Sequence, residues 1–351
     1  MSAVNTKRNP LKNDAVVLER LHHAASSRSS SVGHPALALF FAGALLALVG
    51  CGKQDGTPPP ASTSPGKPRL ALIMKSLANE FFMTMENGAR AHQKAHSDRY
   101  DLICNGIKDE LDISKQIDLV EQMIAQKVDA IIIAPADSKA LVAVCKKAQD
   151  TGIVVINIDN KFDDAVLADK KARIPFVGPD NRKGAKAVGD VVAAKLKAGD
   201  KVAVIEGPPN AFNSVQRKLG FHDSMKAAGM NIVSSQSGFW ETDKANQVAA
   251  AVLTEHPDLK AFLCSNDSMA LGAIAALRAA GKLDHVLVAG YDNISAVQQL
   301  LKDGKMLVTA DQHADQLAVF GIDYALEVLQ TRKPPLDRET KVDIIIGTQG
   351  R

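Results

Sequence analysis

From Arg69 onward, short apolar runs alternate with longer amphipathic stretches, and this alternation constrains the fold more than any other feature. The runs that read as strands are RLALIM (69–74), YDLIC (100–104), DAIIIA (129–134), IVVINI (153–158), KVAVIE (201–206), NIVSSQ (231–236), AFLC (261–264), VLVAG (286–290) and MLVTA (306–310). Most are apolar at consecutive positions, as expected for parallel strands covered on both faces. The stretches between them, such as 113–126 and 268–280, have helical periodicity or helix-forming composition. The pattern predicts an α/β fold of right-handed βαβ units in doubly wound parallel sheets.

The length of the chain points to two lobes. A chain of 351 residues is too long for one ordinary domain and suits two. The segment 159–181 interrupts the rhythm with charges and prolines and shows no clear helix, so we expect it to cross between the lobes. A return to the first lobe near 311–313 would leave 314–331 as a helix that packs on the N-terminal half.

The N-terminal region carries an apolar run that ends at a cysteine. The run, 36–49, has about 14 residues, fewer than the roughly 20 that a membrane-spanning helix needs, and it matches the apolar part of a secretory signal. The ending Leu48-Val49-Gly50-Cys51 resembles the lipobox of bacterial lipoproteins, in which the cysteine becomes the lipidated N-terminus. The alternative is an ordinary signal peptide with an incidental cysteine.

These features predict a signal peptide at 1–50, a lipidated Cys51 and a tether at 51–68, where proline, glycine and serine are too dense for a packed core. The protein would then lie in the periplasm or on the extracytoplasmic face, anchored to a bacterial membrane through its lipid. The sequence leaves open whether that membrane is the inner or the outer one.

Charge argues against nucleic acid as a partner. The net charge of +3 comes from residues 1–50, which hold five basic and two acidic residues; the remainder has 37 of each sign. A nucleic-acid-binding surface needs clustered positive charge, and the sequence after residue 50 shows none.

Polar and aromatic residues follow the predicted strands at their carboxyl ends, where doubly wound sheets bind ligands. Planar amides and carboxylates can each bond two adjacent hydroxyls of a polyol, and aromatic rings offer a face to the C–H side of a sugar. The alternative for any single residue, above all Asp267 and Asn293, is a helix N-cap. The residues that follow strands and suit a carbohydrate are Lys75, Asn79, Phe81, Phe82, Asp159, Asn160, Trp240, Asn266, Asp292 and Gln312.

Several segments are similar, in order and spacing, to the ribose-type periplasmic sugar-binding proteins, which are type I periplasmic binding proteins. They are SLANEFF, VINIDN, QRKLGF, CSNDSMALGAIAAL, VAGYDN and ADQHADQLA, and the similarity runs from about Arg69 to the C-terminus. The resemblance implies two lobes joined by a three-stranded hinge that close on a ligand. By position, it implies an N-terminal lobe at 69–178 plus 313–342 and a C-terminal lobe at 179–312 plus 343–351.

The resemblance also implies roles for individual residues. Asn79, Phe81 or Phe82, and Asp159 would contact ligand from the first lobe. Trp240 takes the place of a stacking phenylalanine, whereas Asn266, Asp292 and Gln312 match hydrogen-bonding positions of the second lobe and hinge. Arg217 is the retained second arginine of a paired-arginine motif.

Three positions depart from the ribose-binding pattern. Lys75 stands where the family has a ligand serine, Asn160 stands where it has an arginine, and Val215 replaces the first arginine of the pair. The ligand classes left open are another pentose or hexose, a polyol, or a molecule with an anionic group that Lys75 meets. Lys75 could instead pair with a nearby carboxylate.

These observations predict a solute-binding lipoprotein of a sugar-importing ABC transporter, with a membrane permease as partner, a monomeric state, no cofactor and no metal. A binding protein that presents its ligand to a chemoreceptor or sensor kinase is the alternative. An enzyme is not expected, because the chain has no GxGxxG, P-loop or GxSxG motif. A repressor would need a helix-turn-helix where the signal-like segment and the tether stand.

Overall fold

The computed structural model describes residues 66–333 and 336–348. The predicted signal peptide, Cys51 and the tether up to residue 65 lie outside the described residues. Among the described helices, none has the length and apolar character needed to cross a bilayer.

The described residues alternate between strands and helices as the sequence pattern predicts. The strands are β1 (Arg69–Ser76), β2 (Asp101–Ile107), β3 (Ala130–Ile133), β4 (Val154–Ile158), β5 (Phe176–Pro179), β6 (Lys201–Glu206), β7 (Asn231–Ser237), β8 (Ala261–Cys264), β9 (Leu287–Ala289), β10 (Val308–Asp311), β11 (Arg338–Thr340) and β12 (Asp343–Ile346). The helices are α1 (Glu80–Ala95), α2 (Ile113–Ala125), α3 (Val142–Asp150), α4 (Asp164–Asp169), α5 (Asn181–Ala193), α6 (Phe212–Ala227), α7 (Thr242–Glu255), α8 (Asp267–Ala279), α9 (Ser295–Lys302) and α10 (Ala314–Thr331).

The strands form two sheets with matching topology. The first has the order β11-β5-β4-β3-β1-β2 and the second has the order β12-β10-β9-β8-β6-β7. All the described strand pairs are parallel except β10 with β12. In each sheet, later strands lie on both sides of the first strand, β1 or β6. The place where the strand order reverses is a switch point, and it opens a crevice at the carboxyl ends of the strands.

The chain crosses between the sheets three times: after β5, after β10, and between β11 and β12. After the second crossing, α10 packs against α1, β3 and β4 of the first sheet. A side chain at Gly321 of α10 would meet Ile132 and Ile158, so glycine lets this helix lie directly on the sheet. These crossings are the only covalent links between the two lobes among the described residues.

The interpretation of the segment 159–181 as a crossing without a helix is wrong in part. The segment contains α4, which Asp163 caps by accepting from the Val166 N–H, and the strand β5, which extends the first sheet. The crossing comes only at its end. Strand β5 is a buried four-residue run ending in proline, too short and irregular to show in the apolar pattern.

Gly88→Ala tests the close packing of α1 on α10. In an open helix this change stabilises, because alanine is the better helix former by about 1 kcal/mol. Here the new Cβ would lie 2.1 Å from the Asp315 carbonyl oxygen. We therefore expect a net loss of roughly 1–2 kcal/mol in the free energy of unfolding, measured by denaturant titration.

The control for this prediction is Asn87→Ala, at an exposed position of the same helix, which should leave stability unchanged or raise it slightly. A Gly88→Ala protein as stable as this control would contradict the packing account.

Candidate functional site

A small cavity lies between the carboxyl ends of the two sheets. Both lobes contribute to its wall. One set of lining residues lies in β1 or follows β1, β2 and β4, and the other set follows β6, β7, β8, β9 and β10. The residues that line the cavity are Lys75, Asn79, Phe81, Phe82, Glu110, Asp159, Asn213, Arg217, Trp240, Asn266, Asp292 and Gln312.

Unusual backbone angles bring several of these residues to the cavity. Asp159 directly follows β4, whereas Trp240 and Asp292 come shortly after β7 and β9; their φ angles are 61°, 67° and 115°. Non-glycine residues rarely adopt positive φ, and they do so where the surroundings hold them, often at functional sites. Beside Trp240, a Cβ on Gly207 would lie 2.3 Å from the indole ring. Glycine at 207 therefore leaves the space in which the ring sits.

Lys75 is buried among carboxylates of the first lobe. Its Nζ lies 3.1 Å from Asp159 Oδ2 and 3.8 Å from Glu110 Oε2, and the lysine is 2% exposed. Burial raises the pKa of Glu110 to about 7, although the positive charge of Lys75 opposes that rise. Of the roles open to Lys75, the structure thus shows pairing with nearby carboxylates.

Arg217 is held in the same way in the second lobe. Its Nε donates to Asn181 Oδ1 at 2.7 Å and its Nη1 donates to the Ser265 carbonyl at 2.9 Å. The Nη1 atom also lies 3.5 Å from Asp292 Oδ1, and the guanidinium carbon sits 3.9 Å from the centroid of the Tyr291 ring. The charge of Arg217 is therefore paired and its plane is fixed.

Asp292 links Arg217 to the hinge between the lobes. Gln312, which follows the crossing strand β10, donates from Nε2 to Asp292 Oδ1 at 2.7 Å. Burial raises the pKa of Asp292 to about 7, against the effect of the Arg217 charge.

Four buried polar atoms of lining residues lack a hydrogen-bond partner: Asp159 Oδ2, Arg217 Nη2, Trp240 Nε1 and Gln312 Oε1. Buried polar atoms in native proteins are nearly always paired, so these two donors and two acceptors indicate capacity to bind a ligand. A hydroxyl group both donates and accepts, and a molecule with several hydroxyls could satisfy all four.

Each cation of the cavity wall has a carboxylate of its own lobe beside it. Lys75 has Asp159 and Glu110 beside it, and Arg217 has Asp292. No cation of the wall is left without a carboxylate, so the arrangement favours a neutral polar ligand over an anion. The described residues contain no group of three or more His, Cys, Asp or Glu side chains placed to hold a metal ion.

The structure brings together all the residues predicted from the sequence except Asn160. Asn160 is fully buried but does not line the cavity; its Oδ1 accepts from the Asn213 N–H at 3.1 Å and its Nδ2 donates to the Pro135 carbonyl at 2.8 Å. Asp267 and Asn293 do not line it either. Asp267 accepts instead from Thr309 Oγ1 and the Ile294 N–H.

Asn79 and Asn266 combine the two roles that the sequence left open. Each caps a helix, with Oδ1 accepting from the N–H of Phe81 or Met269, and each also lines the cavity. The capping bond uses only Oδ1, and the amide nitrogen of Asn266 also donates to the Trp240 carbonyl at 3.4 Å.

Sequence reasoning missed Glu110 and Asn213. The second strand extends to Ile107 rather than ending at Cys104, so Glu110 follows it by three residues. Asn213 lies in the first turn of α6 and not in the residues that directly follow β6. The correct end of β2 would have revealed Glu110 as a residue that follows a strand, whereas no local sequence signal marks Asn213.

A family model described as a periplasmic binding protein domain matches residues 70–333. The D-ribose/D-allose-binding protein of Pseudomonas aeruginosa is 60% identical over 286 residues, which cover 80% of this chain and 90% of that protein. The D-allose-binding periplasmic protein of Escherichia coli is 31% identical over 286 residues, covering 80% and 91%.

Solved structures are similar over the same region. An ABC transporter solute-binding protein from Burkholderia multivorans is 60% identical with a TM-score of 0.78, covering 80% of this chain and 99% of that one. A periplasmic solute-binding protein from Actinobacillus succinogenes, with bound D-allose, is 34% identical with a TM-score of 0.75, covering 80% and 98%.

Glu110→Gln tests the electrostatics of the cavity. A carboxyl whose pKa rises from 4.5 to about 7 on folding favours the folded state below pH 4.5, and that contribution is lost as the pH rises to about 7. We expect the wild type to lose stability relative to Glu110→Gln across this window, by up to roughly 3 kcal/mol, and to show a constant difference at higher pH. Denaturant titrations of both proteins measure this difference, and one that does not vary with pH would contradict the account.

Proposed function

Because the chain belongs to the periplasmic binding protein family, we propose that it is the solute-binding protein of an ABC importer and binds a neutral monosaccharide between its lobes. The observation that carries the proposal is the cavity itself, in which each cation is matched by a carboxylate and four buried polar atoms lack hydrogen-bond partners that hydroxyl groups could supply. The rings of Phe81, Phe82 and Trp240 supply apolar faces for the C–H side of a sugar.

The ligand class follows from the charges and from the relatives. Lys75 is already paired, which argues against a sugar acid. The relative with 60% identity is named for D-ribose and D-allose, and a similar structure holds D-allose. Val215, at the position of the lost arginine, is 38% exposed and does not line the cavity. We therefore propose an aldose similar to D-allose or D-ribose as the substrate.

The mechanism is closure of the lobes about the three crossings. A ligand that contacts Asp159 of one lobe and Asp292 of the other binds only when the lobes are together, so it shifts the population toward the closed form. The closed form then docks on the membrane permease. The lobes in this proposal are 69–178 with 313–342 and 179–312 with 343–351. No bond is made or broken, in keeping with relatives that are named as binding proteins.

We further propose that the protein acts as a monomer on the extracytoplasmic face of a membrane, held there by a lipid on Cys51 and the tether 51–68. Expression of Cys51→Ala in a bacterial host should move the protein from the membrane pellet to the soluble fraction. Retention of the variant in the pellet would contradict the anchor. Presentation of the sugar to a chemoreceptor or sensor kinase is the alternative use of the same closed form.

A sugar titration of the mature chain tests the proposed binding function. Trp240 is the only tryptophan and lines the cavity, so its fluorescence reports binding directly. The panel holds D-allose, D-ribose, D-glucose, myo-inositol and gluconate. We expect saturable binding of D-allose or D-ribose and none of gluconate. Binding of gluconate alone, or of no member of the panel, would contradict the proposal.

Asp292→Asn should weaken that binding. The change keeps the shape of the side chain but removes a charged acceptor, and a hydrogen bond to a charged group contributes about 1.5–3 kcal/mol, or roughly 10- to 150-fold in Kd. The matched control is Asp258→Asn, in an exposed pair with Lys201 far from the cavity, which should bind like the wild type. Equal affinity of the two variants would show that Asp292 does not contact the sugar.

A further inference from the structure

We propose that Asn160 belongs to an interlobe clasp, which sets sugar affinity through the closing equilibrium and makes no contact with the sugar. The clasp consists of Asp137, Ser138 and Asn160 in the first lobe and of Asn210, Phe212 and Asn213 in the second. The inference rests on the proposed function, because it concerns the same closure, and it gives Asn160 a role different from the ligand contact that the sequence predicted.

Four hydrogen bonds make up the clasp. Asn210 Nδ2 donates to Asp137 Oδ2 at 2.8 Å, and the Ser138 N–H donates to the Asn210 carbonyl at 3.1 Å. The Phe212 N–H donates to Ser138 Oγ at 2.9 Å. The Asn213 N–H donates to Asn160 Oδ1 at 3.1 Å. Every one of these bonds joins the loops after β3 and β4 to the loop and helix start after β6.

The first-lobe half of the clasp is built independently of the second lobe. Ser138 Oγ donates to Asn160 Oδ1 at 3.3 Å, and Asn160 Nδ2 donates to the Pro135 carbonyl at 2.8 Å. Asn157 Nδ2 in turn donates to the Asn160 carbonyl at 2.8 Å. The acceptors that meet the second lobe are therefore held in place before the lobes close, and little side-chain freedom is lost on closure.

The clasp is separate from the cavity wall except at Asn213. Among its members, Asn213 alone lines the cavity, and the clasp uses the backbone N–H of that residue. When the lobes separate, the donors of Phe212 and Asn213 exchange their clasp acceptors for water. Each clasp bond therefore favours the closed form without favouring any one ligand.

This separation has a measurable consequence. The apparent Kd equals the intrinsic Kd divided by the fraction of binding-competent protein. Weakening the clasp therefore raises the Kd for every sugar by the same factor and leaves the ratio of affinities between sugars unchanged. A residue that contacts ligand changes this ratio instead. A weaker clasp also lets the closed form open sooner, so a faster dissociation of the sugar accounts for most of the rise in Kd.

The test uses Ser138→Ala and Asn210→Ala, each removing one side-chain bond of the clasp. Controls matched by residue type are Ser224→Ala, whose buried hydroxyl bonds Asp190 within the second lobe, and Asn231→Ala, at an exposed position. Trp240 fluorescence gives Kd and stopped-flow rates for D-allose and D-ribose. We expect each clasp variant to weaken both sugars by the same factor, roughly two- to tenfold, through faster dissociation, and the controls to bind like the wild type.

Unchanged affinity in both clasp variants, or a changed ratio between the sugars, would overturn the clasp. If the wild type binds neither sugar, the proposed function fails, and small-angle scattering of the sugar-free proteins then decides the clasp alone. A larger radius of gyration in the Ser138→Ala/Asn210→Ala double variant supports the clasp, and equal radii overturn it.

Discussion

Each lobe neutralises its own buried cation, and the closed arrangement of this protein depends on that pairing. Removing a charge from water is costly unless an opposite charge and hydrogen bonds replace the water. Lys75 meets Asp159 within the first lobe, and Arg217 meets Asp292 within the second. Closure therefore brings together two surfaces on which each cation already has a carboxylate partner. In the proposed function the sugar supplies hydroxyl groups and no charge, so the lysine in this cavity does not require an anionic ligand.

The duplicated topology explains how the two pairs come to face each other. Both sheets place their switch point beside the first strand, β1 or β6, and both present their polar residues at the carboxyl ends of the strands. Lys75 lies near the end of β1, and Asp292 follows β9 in the other sheet. Positive φ angles at Asp159, Trp240 and Asp292 set the direction of the turns that bring these residues to the cavity. Binding residues and clasp residues share the segments that follow β4 and β6, so one closing motion brings both into contact.

Much of the fold and most of the cavity could be predicted from the sequence, because both follow from strands that are apolar at consecutive positions. A buried parallel strand is visible in the pattern and its end locates a binding loop. The prediction failed where that signal is weak. β5 is a four-residue run ending in proline, and β2 extends past the polar Asn105, which hid the position of Glu110. The pairing of Lys75 and the placement of Asn160 outside the cavity depend on residues distant in the chain, and no local pattern reveals such contacts.

Small-angle scattering of the mature protein with and without D-allose tests the central claim most directly. The account predicts that D-allose lowers the radius of gyration, and that this compaction has the same midpoint concentration as the change in Trp240 fluorescence. A fluorescence change with no compaction would show that the sugar binds without closing the lobes. Compaction with gluconate but not with D-allose would show that the paired charges of the cavity do not select a neutral ligand.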